Sequence, residues 1–145
     1  MYEKESPDMA LAYLMSLAKE SVSRKRPWVY GDEKVDDDFF TDAMQEYCYS
    51  LYSIGSQSAY SAFKALSELM YKLFPKCYEY LNNIGTYYMV AESDYKAALK
   101  CYNKVLKKNP DDVAALQNAA IAYRRLGKGK QSLECLEKLN RLNNK

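Results

Sequence analysis

The chain repeats itself. Ala98, Leu99, Cys101, Lys104, Val105 and Pro110 recur 34 residues later as Ser132, Leu133, Cys135, Lys138, Leu139 and Asn144. Upstream, Leu81, Ile84, Gly85 and Tyr88 recur 35 residues later as Leu116, Ala119, Ala120 and Tyr123, the extra residue being an insertion in the Ala91–Asp94 turn. A period in this range marks a repeat architecture, in which one supersecondary unit cannot bury its apolar face alone and stacks on the next. The recurring positions are three and four apart, the helical period, and no window shows sustained period-2 alternation. The expected fold is therefore all-α, with no sheet.

Punctuation places the helices. Ser6-Pro7-Asp8 combines a capping Ser, Pro at the first helical position and an acid in the first turn, opening a helix to about Val22. Residues 23–38 read as a loop containing Arg24-Lys25-Arg26, Pro27, Gly31 and Asp36-Asp37-Asp38. Helices are then expected at about 40–54, 59–74, 77–91, 94–107, 112–126 and 129–142, separated by Gly55-Ser56, Pro75, Glu92-Ser93, Asn109-Pro110 and Gly127-Lys128-Gly129.

Composition excludes several functions. Among 145 residues there is no His, the commonest general base and metal ligand. The four cysteines, at 48, 77, 101 and 135, form no CxxC pair, so neither a zinc ribbon nor a thioredoxin-like site is available. Without a phosphate loop or a convergent nucleophile set, no enzyme, metal or cofactor is expected. The net charge of +2 gives no case for nucleic acid, and no apolar run approaches the ~20 residues needed to span a bilayer. Met9–Ala18 follows Glu3, Glu5 and Asp8 and reads as an amphipathic helix rather than a signal peptide. Charge is uneven, however: residues 1–77 carry 9 Lys and Arg against 12 Asp and Glu, whereas residues 78–145 carry 12 against 7. That asymmetry suggests an acidic partner or self-association. Tyrosine supplies 15 residues, read as ring-packing side chains with wet hydroxyls.

The spacing resembles the tetratricopeptide repeat family, whose pattern is W-x2-L-G-x2-Y, then A-x3-F, then P. Leu81-x2-Ile84-Gly85-x2-Tyr88, Ala98-x3-Tyr102 and Pro110 give one copy. Leu116-x2-Ala119-Ala120-x2-Tyr123 and Ser132-x3-Leu136, with Asn144 in place of Pro, give the next. Small residues at Gly85, Ala98, Ala120 and Ser132 let two helices approach; Tyr88, Tyr102, Tyr123 and Leu136 fill the wedge between hairpins. The resemblance implies a superhelix of antiparallel hairpins, in one continuous domain: an N-terminal helix and loop at 1–39, a degenerate hairpin at 40–76, and repeats at 77–110 and 111–145. In the degenerate hairpin Leu51-x2-Ile54-Gly55 imitates the first-helix motif, but Gly55 stands only 7 residues before Ala62, where Gly85 stands 13 before Ala98. Gly55 is thus expected to be the turn.

The resemblance also implies a function, a non-enzymatic module holding a peptide or helix of a partner protein in the concave groove of the first helices. Helical spacing from the packing residues assigns to that groove Glu79, Asn82, Thr86 and Met89, then Gln117, Ile121, Arg124 and Arg125. Asn83 and Asn118 match the family's asparagine that hydrogen-bonds an extended backbone. The clamp for chaperone C-terminal carboxylates is excluded, because no Lys lies between Lys76 and Lys96. Competing readings are a structural or oligomerising fragment of a larger assembly and a small secretion chaperone of the same repeat type. The chain stops as its last helix finishes, and Leu133, Leu136, Leu139 and Leu142 are too many for one contact stripe. Part of that row, with Ile121 or Leu126, is expected to be exposed and to support a homodimer. Reduced cysteines and cytoplasmic residence complete the expectations.

Overall fold

The computed structural model describes residues 28–30, 33–35 and 37–144. The helix expected at 6–22 lies outside the described residues. Two three-residue strands, β1 (Trp28–Tyr30) and β2 (Glu33–Val35), pair antiparallel with Trp28 opposite Val35 and Tyr30 opposite Glu33. This corrects the expectation of no sheet and of a loop over 23–38. Trp, Val and Tyr favour the pleated conformation. Three residues are too few for a period of two to register.

Six helices follow among the described residues: α1 (Asp37–Ile54), α2 (Gln57–Leu73), α3 (Tyr78–Ala91), α4 (Tyr95–Lys108), α5 (Val113–Arg125) and α6 (Gly129–Asn143). Local chemistry explains their ends. Gly55 takes φ +75°, the left-handed conformation that stops α1 as the expected turn. Ser56 caps α2 by accepting from Ala59 N at 3.2 Å. Asp94 caps α4 through Ala97 N at 3.1 Å, and Asp112 caps α5 through Ala115 N at 2.8 Å. Each such cap is worth ~1 kcal/mol.

The residues cluster into two compact units, Met1–Tyr80 and Leu81–Lys145, with the boundary inside α3. In the first, α1 and α2 bury Met44, Cys48, Leu51, Ala59, Phe63, Leu66 and Met70. Ser67 Oγ donates to Cys48 Sγ at 3.7 Å, both side chains being fully buried. The ring of Tyr52 packs on Tyr60 and Phe63, with centroids 5.8 and 5.6 Å away. Tyr80, 1% exposed, donates its hydroxyl to the Thr41 carbonyl. Most of the other described tyrosines are half-buried, but Tyr49 stands 55% exposed on α1.

In the second unit α4 is drawn tightly against α3. A Cβ on Gly85 would lie 2.8 Å from Tyr102 Cε1 and 3.1 Å from Cys101 Cβ, so only hydrogen fits there. The next hairpin solves the same problem differently: Ala120 stands in place of Gly85, and Ser132 Oγ donates to the Ala120 carbonyl at 2.8 Å. Tyr102, Val105, Ala115, Ala119 and Ala122 are fully buried. The fold is the expected helical-repeat architecture, and the wedge-filling role given to Leu136 is corrected, since that side chain is 50% exposed.

Candidate functional site

Glu79 is exposed in the first turn of α3; the other nine candidate groove residues also fall on α3 and α5, where i, i+4 spacing puts Asn82 beside Thr86 and Gln117 beside Ile121. The two helices present them differently. On α3, Asn82 is only 8% exposed; its Nδ2 donates to Asp112 Oδ1 at 3.3 Å, and its own Oδ1 is buried with no hydrogen-bond partner. Asn83 is 5% exposed. Thr86 Oγ1 lies 3.0 Å from the Tyr102 hydroxyl, and Met89 is half-buried. Asn82 and Thr86 are thus hydrogen-bonded within the second unit, and Asn83 is buried.

On α5 the picture reverses. Gln117, Ile121, Arg124 and Arg125 are exposed and Asn118 is half-buried. Gln117, Asn118, Ile121 and Arg124 line one side of a depression of ≈ 380 Å³, closed by Ala120, Ser132 and Leu136. Arg125 is not among the lining residues. Both arginines occupy the last turn of α5, where cations are favoured by the helix dipole. Ala120 and Ser132 had been assigned to close helix packing and Leu136 to a wedge. What could have revealed their second role is that Leu136 matches Tyr102, a position that fills space only when something stands beyond it. Leu133, beside it on α6, is 55% exposed, whereas Leu139 is buried at 8%.

The chemistry of the depression is that of recognition. Amides and a guanidinium provide donors and an acceptor around an aliphatic floor, and no titratable pair converges there. Burial pushes the Cys48 thiol up to about 12, the hydrogen bond from Ser67 opposing only part of that rise. Cys135 is also raised, first by burial and then by Glu134, against the pull of Lys138. These thiols stay protonated at neutral pH and are poor nucleophiles. Among the described residues no cluster of His, Cys, Asp and Glu is suited to a metal ion. No described helix is long and apolar enough to cross a membrane.

Comparison with solved structures gives a fold likeness at low sequence identity. A point mutant of MamA superposes with a TM-score of 0.60 at 13% identity, covering 95% of this chain and 98% of that one. The structure titled MamA MSR-1 C2 gives 0.56 at 15% identity, covering 93% of this chain and 68% of that one. No curated protein matches the sequence. A family model described as tetratricopeptide repeat matches residues 89–145. That span holds α4, α5 and α6, the helices in which the 34-residue recurrence and the depression are found. Over residues 89–145 the chain is similar to the tetratricopeptide repeat family.

Proposed function

We propose that the chain is a non-enzymatic protein–protein interaction module that holds a peptide or helix of a partner protein on the surface built from α3 and α5. The repeats at 77–110 and 111–145, preceded by the degenerate hairpin at 40–76, supply the scaffold. The observation that carries the reading is the depression lined by Gln117, Asn118, Ile121 and Arg124: polar donors and an aliphatic side chain along one helix. The excess of Lys and Arg over Asp and Glu in residues 78–145, 12 against 7, favours an acidic ligand. In such a complex Arg124 and Arg125 are the charge partners and Asn118 grips the backbone.

The test is a titration with the best binder from an acidic-peptide library. Arg124→Ala plus Arg125→Ala should weaken binding by ~1–3 kcal/mol and flatten its salt dependence. Unchanged affinity leaves the structural reading, in which the chain is an oligomerising piece of an assembly. One observation favours that alternative: Ile121, Leu133 and Leu136, 39%, 55% and 50% exposed, form an apolar patch suited to a homodimer.

A further inference from the structure

The repeat period assigns each residue of the depression a counterpart one repeat earlier. On α5 the offset is 35 residues, pairing Gln117 with Asn82, Ile121 with Thr86 and Arg124 with Met89. On α6 it is 34, pairing Leu136 with Tyr102. Two members of the earlier set are buried and the other two half-buried. Asn82 is 8% exposed and Tyr102 is 0%, whereas Ile121 is 39% and Leu136 50%.

What meets Asn82 is the start of a helix. Asp112 Oδ1, 3.3 Å from Asn82 Nδ2, is the N-cap oxygen of α5, which also accepts from Ala115 N at 2.8 Å. One carboxylate thus caps the incoming helix and anchors it to the preceding repeat. The helix it opens buries small and aliphatic residues: Ala115, Leu116, Ala119 and Ala122.

We infer that the α5/α6 depression is a seat for an α-helix supplied by a partner protein, one that begins with an Asp or Glu cap and buries an alanine- and leucine-rich face. The amide of Gln117 stands where Asn82 stands and supplies the donor for the capping acid. Ile121 and Leu136 stand where Thr86 and Tyr102 stand and supply the floor. Arg124 replaces Met89, adding positive charge that complements an acidic first turn and opposes a basic one. The seat requires the chain to be an interaction module, as proposed above, and specifies which class of partner it takes.

The probe is a labelled synthetic peptide with the sequence of residues 109–126, the helix that already occupies the equivalent place. Added to the full chain, it should bind saturably by fluorescence anisotropy and gain helicity by circular dichroism. Leu136→Lys in the protein, at an exposed position, should weaken binding by at least ~10-fold, and Asp112→Ala in the peptide by ~3- to 10-fold. Because a short helix is marginal alone, the same sequence is also appended after Lys145, where tethering provides an effective concentration of ~mM. The appended chain should melt at a higher temperature than the original, and Leu136→Lys should abolish that gain. Absence of both peptide binding and the thermal gain overturns the proposal. So does a wild-type dimer that Leu136→Lys dissociates and the peptide fails to displace, since the seat then belongs to a second copy. If the seat fails while the paired arginine substitutions still weaken an acidic peptide, the interaction-module reading stands without it.

Discussion

The α1/α2 hairpin and the hairpins of the second unit bring two helices together by different means. In α1/α2 one fully buried contact is Cys48 with Ser67, two medium-small side chains in a core that also holds Phe63, Leu66 and Met70. In α3/α4 it is a glycine beneath a tyrosine ring, and in α5/α6 an alanine whose carbonyl receives a serine hydroxyl. The repeat hairpins obtain closeness by deleting side-chain volume from one helix. The first hairpin keeps volume on both and fills the space between. This is why the repeat signature is visible after residue 80 and blurred before it: the signature is a pattern of missing volume, and α1/α2 does not use it.

The largest test of that contrast is alkaline titration. The Cys48 thiol has its pKa raised from 9.0 to about 12, chiefly by burial. Above pH 9 the unfolded chain releases that proton while the folded chain retains it, so stability present below pH 9 declines as pH rises toward 12. The loss approaches ~4 kcal/mol. The buried Tyr80 hydroxyl, raised first by burial and then by nearby Cys48, Cys77, Glu79 and Asp42, acts in the same direction. Denaturant midpoints measured across pH 8 to 11 should fall steadily for the wild type and less steeply for Cys48→Ala. Equal slopes would mean that the first hairpin does not depend on a neutral thiol.

Next in size is Gly85→Ala. The new methyl would sit 2.8 Å from a fully buried ring, costing ~1–3 kcal/mol even though alanine is the better helix former. Tyr102→Leu added to it recreates the Ala120 and Leu136 pair of the following repeat. The double substitution should cost less than the sum of the singles by at least ~1 kcal/mol in denaturant melts. Strict additivity would break the idea that the two positions trade volume. The smallest effect is Ser132→Ala, which removes a buried 2.8 Å hydrogen bond to the Ala120 carbonyl and should cost ~0.5–1.5 kcal/mol. A neutral outcome would reduce Ser132 to a small residue and nothing more.

Much of this architecture was readable in the residues. The start of α5 was legible from the Asn109-Pro110 break, and the end of α1 from Gly55, because helix breakers and left-handed turns are local chemistry. The β1/β2 ribbon was not, since two three-residue strands leave no periodic trace. In the candidate site the reading divided by helix. Helical spacing put Asn82 on the groove side, yet its amide is held by a carboxylate 30 positions along, a contact that no local pattern announces. The exposed surroundings of Gln117 and Ile121 were easier to anticipate from spacing alone. Leu136 illustrates the general difficulty: a leucine at a repeat's packing position looks the same whether or not anything packs on it.

The oxygen shared by Asn82 and Ala115 also bears on how the repeats acquire order. In a one-dimensional description of a solenoid, each unit has an intrinsic stability and each junction a coupling. A cap is normally intrinsic, since it lowers the cost of nucleating its own helix. Here the Asp112 cap also belongs to the junction, because α3 positions the carboxylate that starts α5. The order of the second repeat is thereby coupled to that of the first, and by linkage the first is stabilised by the second to the same extent.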